Sequence, residues 1–114
     1  MKREIPITKA GRLLNSGCVT LVTSANETKR NVLTVAWQSP VSHTPLLVSI
    51  AVAKTHYSHE LISESGEFVI NIPSVSMLES VHQVGSLSGR TGDKFHKSGL
   101  TVTTSNPVKP VTIQ

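Results

Sequence analysis

The stretch NVLTVAWQSPVSHTPLLVSIAVAKTHYSHELISESGEFVIN, Asn31 to Asn71, decides the fold. Asn31 to Trp37 has the β-branched character of a strand, and Gln38 to Pro45, with two prolines around His43, reads as a loop. Leu46 to Ala53 is an apolar run of eight, the pattern of a strand buried on both faces. Lys54 and Thr55 stop that run. Thr55 is placed to cap a helix on which Tyr57 and Leu61 share a face and which Gly66 ends with a positive φ. Glu67 to Ile72 is the next strand, stopped by Pro73.

Working outward, Cys18 to Thr23 alternates as a strand. It pairs in a hairpin with Asn31 to Trp37 across the polar turn Ser24 to Arg30. Ala10 to Leu14 fits a short helical turn. On the other side, Ser76 and Glu79 form a capping-box pattern, and Met77, Val81 and Val84 recur at helical spacing, so Ser74 to Val84 is expected as an amphipathic helix. GSLSGRTGDKF, Gly85 to Phe95, reads as a glycine-rich loop and Leu100 to Thr104 as a strand. NPVKPVTIQ begins a further strand at Val111 to Ile113 with no turn and partner after it, the pattern of an incomplete chain.

The expected sum is one mainly β domain with short helical crossovers over residues 1–114. One Trp, one Tyr and two Phe leave the core to Val, Leu and Ile, which favours strands. The net charge of +4 comes from scattered basic residues, which argues against a nucleic-acid surface. No apolar run has a membrane-spanning length, and the lone Cys18 cannot form an internal disulfide. Cys18 is expected to be buried in its strand. These features suit a soluble, cytoplasmic chain.

Lys54-Thr55 is the first candidate site. The start of a helix leaves free amide donors and a positive dipole end, to which lysine adds charge and threonine a hydroxyl, a combination suited to phosphate. Ser49 and Ser58 add donors nearby. The loop from Gly85 to Phe95 has the wrong glycine spacing for a nucleoside-triphosphate loop, yet with Arg90 and Lys94 it can wrap an anion. His56 and His59 lack a third ligand at metal spacing. GxSxG and GxGxxG are both absent, so no catalytic side chain is assigned, and enzyme chemistry here would come from a bound cofactor.

From about Gly11 to Leu100 the chain resembles the flavin reductase-like, FMN-binding split-barrel family, close to flavoredoxins. The matching pieces are NVLTVAW at 31–37, SPVS at 39–42 with Pro45, the 46–53 strand closed by Lys54-Thr55, GEFVINIP at 66–73, and the loop from Ser88-Gly89 to Lys94-Phe95. The resemblance implies a split β-barrel homodimer with FMN held noncovalently near the subunit interface. The flavin ring would lie along Thr34, Ala36, Trp37 and Ser39, and Ser49, Lys54 and Thr55 would hold the phosphate. Asn71, Ser86, Ser88 and Lys94 would complete the pocket.

It implies in turn an oxidoreductase passing electrons from NAD(P)H through FMN to an acceptor. The alternatives are a noncatalytic FMN-binding electron carrier and a structural fragment without cofactor. The family also carries further strands and a Gly-Asp-His segment past the position of Gln114, whereas here Gly92-Asp93 is followed by Lys94.

Overall fold

In this computed structural model the described residues are 4–6, 8–9, 17–106 and 108–114. The helical turn expected at 10–14 lies outside them. The central sheet has the order β2-β1-β5, from β1 (Thr20–Ala25), β2 (Arg30–Val35) and β5 (Val69–Asn71), all antiparallel. β1 and β2 are the expected hairpin, in register from Thr20↔Val35 to Ala25↔Arg30. Asn26 builds its turn, Oδ1 accepting the Thr28 and Lys29 amides at 3.1 and 2.8 Å.

Every residue of β1 is buried, because both faces are covered. Helix α1 (Tyr57–Ser65) packs against β1 and β2, burying Leu61 and Ser58. Toward the other helices, Leu21 and Val32 meet Val84 and Phe95 in one apolar cluster that Met77 and Val81 extend. Val84 lies on α2 (Leu78–Ser86) and Phe95 on α3 (Lys94–Ser98). The expected stripe of Met77, Val81 and Val84 is therefore core. Gly66 ends α1 at φ 72°, its amide donating to Ile62 O.

Several local expectations are corrected. Gln38 to Pro45 is not simply a loop: β3 (Gln38–Ser42) pairs with β4 (Leu47–Ile50). The register shifts between Pro40 and Ser42, and that irregularity accommodates a proline on a two-stranded ribbon. The 46–53 run is a strand only over β4 and is exposed, Leu46 by 74%. Only Ile50 and Val52 are half-buried, on the side where His59, Ile62 and Phe68 share a hollow with the strand. Cys18 precedes β1, where pairing with Val35 begins, and is exposed rather than buried.

Thr55 does not cap α1. The helix starts two residues later with His56 at the N-cap and no side-chain cap, so the Thr55 hydroxyl is left for other partners. The capping box at Ser76 and Glu79 is also absent. Val75–Met77 forms a 3₁₀ turn, which puts Ser76 inside a helix instead of at an extended cap position. Ser76 Oγ pairs with Ser74 Oγ at 2.7 Å and Glu79 accepts from Gln83 at 3.2 Å.

The expected loop from 85 to 95 contains the end of α2, a 3₁₀ turn at Gly89–Thr91 and the start of α3, capped by Asp93. β6 (Val102–Thr103) is shorter than expected and pairs with β7 (Thr112–Ile113), so the final strand has its partner.

Candidate functional site

β2 is the edge of the central sheet, so half of its backbone groups face away from β1. Against that edge lies a cavity of about 230 Å³. Asn31, Leu33 and Thr34 of β2 form one wall, residues 55–58 at the start of α1 a second, and Gly85, residues 87–90 and Lys94 the third. Period-two alternation puts Asn31 and Leu33 on one face of the strand, and Thr34 reaches the cavity from the other. Val32 enters the core, while Asn31 turns toward α1, its Nδ2 donating to Ser58 Oγ at 3.0 Å.

Asn31 is only 3% exposed, and its Oδ1 has no hydrogen-bond partner among the described residues. Such an acceptor costs about 1–3 kcal/mol until a donor reaches it. Gly89 sits directly against this amide. A Cβ at residue 89 would lie 2.6 Å from Asn31 Cγ, so only glycine lets the turn close on the strand.

Lys94 is 4% exposed although it carries an ammonium group. The Asp93 cap starts α3 here and sends the side chain inward, where Nζ donates to Val32 O and Val84 O at 3.1 Å each. An ammonium has three donors, and these two bonds leave one for the cavity that Lys94 lines. Burial away from water pushes its pKa below the ordinary lysine value.

The cavity gathers Thr34, Thr55, Ser58, Ser88, Arg90 and Lys94 of the residues singled out from sequence. Thr34 Oγ1 donates to Val81 O at 2.8 Å, and Ser88 Oγ accepts from the Arg90 amide at 3.3 Å, so both also brace the walls. Ala36, Trp37, Ser39 and Ser49 line a second hollow of about 360 Å³, further along the chain from β2 into the β3–β4 hairpin. Trp37 is 61% exposed there.

Three candidates lie elsewhere. Lys54 is exposed in the turn before Thr55, lining neither hollow. Ser86 ends α2 with its hydroxyl donating to His82 O at 2.9 Å. Asn71 bridges strands: Nδ2 donates to Leu21 O and Oδ1 accepts from the Ile113 amide, both at 2.9 Å.

Asn31 was missed by sequence reasoning as a site residue. Its signal was a polar residue in phase with Leu33 and Val35 at the head of a buried strand. His56 and Tyr57 also enter the cavity, from the turn before α1. Among the described residues no three His, Cys, Asp or Glu side chains are grouped to hold a metal ion. Among the same residues no helix is long and apolar enough to cross a membrane.

An orphaned acceptor, hydroxyls, a buried amine with a spare donor and a glycine cradle suit a polar, partly anionic heterocycle. The comparisons point the same way. An uncharacterized protein of Escherichia coli (strain K12), YddH, is 43% identical over 106 residues, covering 90% of this chain and 56% of that protein.

Among solved structures, an FMN-binding domain of a flavin reductases-like enzyme from Shewanella baltica OS155 superposes with a TM-score of 0.81 at 29% identity. That match covers 96% of this chain and 58% of the other. The flavoredoxin of Desulfovibrio vulgaris (Miyazaki F) gives 0.79 at 27%, covering 84% and 53%. The chain thus spans somewhat over half the length of these relatives. Its fold, mainly β with short helices, is that of the split-barrel flavin reductase-like proteins. With residues 12–114 matching the flavin reductase like domain, the chain belongs to that family.

Proposed function

We propose that this chain binds FMN in the cavity between β2, the start of α1 and the Ser88–Arg90 turn, and serves as a flavin reductase-type oxidoreductase. Electrons would pass from NAD(P)H to an acceptor. The observation that carries the reading is the convergence of the unpartnered Asn31 Oδ1, the Ser58 hydroxyl and the buried Lys94 amine on one cavity. Redox chemistry is supplied by the bound isoalloxazine. The protein's part is to bind, orient and exclude water.

In this reading Thr55 and Ser58 hold the phosphate, with Lys54 adding charge from the adjoining turn. Thr34, Ala36, Trp37 and Ser39 run along the ring, with Ser49 beside them. Asn31 and Lys94 present one acceptor and one donor to polar edges of the ligand. Ser88 holds its turn against the cavity, and Ser86 and Asn71 support it from α2 and the sheet.

A cavity of 230 Å³ is smaller than the roughly 300–1,000 Å³ usual for such ligands, so the described residues provide only part of the site. A second copy of the chain would supply the rest. Val41, Leu46, Leu47 and Val48 of the β3–β4 region are exposed beside the Trp37 hollow, the apolar surface expected of such a homodimer.

The test is a visible spectrum of the purified protein followed by anaerobic addition of NADH or NADPH. Flavin absorbance that bleaches supports the full reading. Stable colour without bleaching leaves an FMN binder and removes the reductase. Protein that takes up no added FMN removes both.

A further inference from the structure

We propose that the turn from Ser88 to Gly92 is a lid on the candidate cavity, clasped shut by Arg90 against α1, and that ligand enters and leaves when the clasp opens. The ligand's route rests on the flavin reading of the cavity; the hinged turn does not.

The turn is built to move as one piece. Thr91 donates to Ser88 O through its amide at 3.3 Å and its hydroxyl at 3.1 Å, and the Arg90 amide donates to Ser88 Oγ at 3.3 Å. Among the described residues no backbone hydrogen bond joins it to β2 or α1. Its far end is fixed to α3. There the Asp93 side chain caps the helix by accepting the Phe95 amide at 2.9 Å, and Lys97 Nζ donates to Thr91 O at 3.4 Å. Gly92 lies between turn and cap with φ 150°, a conformation that side chains rarely adopt. A glycine joint beside a fixed helix end has the freedom a hinge needs.

Arg90 makes the closure. Its Nη1 lies 2.8 Å from Glu60 Oε2, and its guanidinium lies over the Tyr57 ring, 5.2 Å from the centroid. Both charged side chains are about half exposed, so the pair is screened by water and weak. Beneath it Gly89 closes over Asn31, whose buried Oδ1 has no partner among the described residues. Covering an unpaired acceptor costs about as much as an exposed ion pair and a cation–π contact contribute, so closed and open turns are close in free energy.

Opening lets water reach Oδ1. It also joins the cavity to a larger groove outside, because the two share Tyr57, Gly89 and Arg90 as a wall. Glu60 lines neither space, so the clasp can re-form over a bound ligand.

The experiment compares wild type with Glu60→Gln, which removes the charge partner of Arg90 but no cavity residue. Glu64→Gln, one turn further along α1, removes the same charge away from the lid. Relaxation dispersion on the apo-protein reads the turn itself. Microsecond-to-millisecond exchange is expected at the Gly89 to Gly92 amides, with the minor state about threefold more populated in Glu60→Gln, the effect of one exposed ion pair. Stopped-flow fluorescence then follows FMN. Association and dissociation should both quicken about threefold in Glu60→Gln with Kd within about twofold, because a gate alters the path and not the difference between its ends.

Flat dispersion profiles, or a minor state that Glu60→Gln leaves unchanged, overturn the lid. Weaker FMN binding with association unmoved overturns the gate, since Arg90 would then be a contact. Equal quickening in Glu64→Gln overturns it too, as the effect of charge alone. Exchange that responds to Glu60→Gln in a protein that takes up no FMN upholds the lid and removes the flavin reading. FMN bound at rates the variant does not alter upholds the flavin reading and removes the gate.

Discussion

Asn31 and Ser58 are joined across the gap between β2 and α1, Nδ2 of the first donating to Oγ of the second at 3.0 Å with both side chains out of solvent. The bond fixes the floor of the cavity and commits one end of the amide, while Oδ1, shielded beside Gly89, has no partner among the described residues. Asn31→Ala removes a good bond and an orphaned acceptor together, so stability should change by only about 1 kcal/mol. FMN affinity should fall about tenfold, the value of one buried hydrogen bond to a polar ligand. Fluorescence titration checks it, and unchanged affinity would take Asn31 out of the site.

Gly89 provides a steric test of the same floor. A methyl group at that position would lie 2.6 Å from Asn31 Cγ and 2.8 Å from Nδ2, and the amide cannot retreat without breaking its bond to Ser58. Gly89→Ala should therefore cost about 1–3 kcal/mol in denaturant unfolding, as overpacking does. FMN affinity should fall with it. A variant as stable as wild type would show that the turn can lift away from β2.

How far the sequence made this legible differs by element. The β1–β2 hairpin, α1 with its Gly66 stop, and the stripe through Met77, Val81 and Val84 follow from local periodicity, and the structure has them. The errors came from contacts made at a distance. β3 was hidden because Pro40 and Pro45 signal a loop when read locally, whereas β4 supplies a partner that overrides the signal. Burial of 46–53 was inferred from hydrophobicity, which says that a segment needs a cover and not where the cover is.

The candidate site divides in the same way. Thr55 and Lys94 were visible as charge or hydroxyl beside a turn. Asn31 owes its place to Gly89, 58 positions later, meeting it in space. No local pattern encodes that meeting.

Asn71 gives a prediction about the fold. Its amide takes Leu21 O on one side and the Ile113 amide on the other, and so latches β7 onto the sheet. Thr23 Oγ1 assists with a 2.6 Å bond to Val111 O. Asn71→Leu should destabilise the chain by about 1–3 kcal/mol because two backbone groups lose their partners. Hydrogen exchange should locate the loss at the Ile113 amide. Protection unchanged at Ile113 would remove the latch.

Lys94 links the site to pH. Burial lowers its pKa in the folded chain, while the unfolded chain keeps the ordinary lysine value. Between those two values the unfolded state holds more protons, so stability from this group rises with pH across the window and is lost as pH falls through the folded value. Lys94→Met has no such group. The stability difference, wild type minus variant, should therefore grow as pH rises toward the ordinary lysine range in urea titrations at matched ionic strength. Parallel curves would mean that the amine is not desolvated. A bound anionic ligand beside Nζ favours the ammonium and draws the folded pKa back up. FMN-loaded protein should accordingly show a shallower difference than apo-protein, and identical slopes would place the anion away from Lys94.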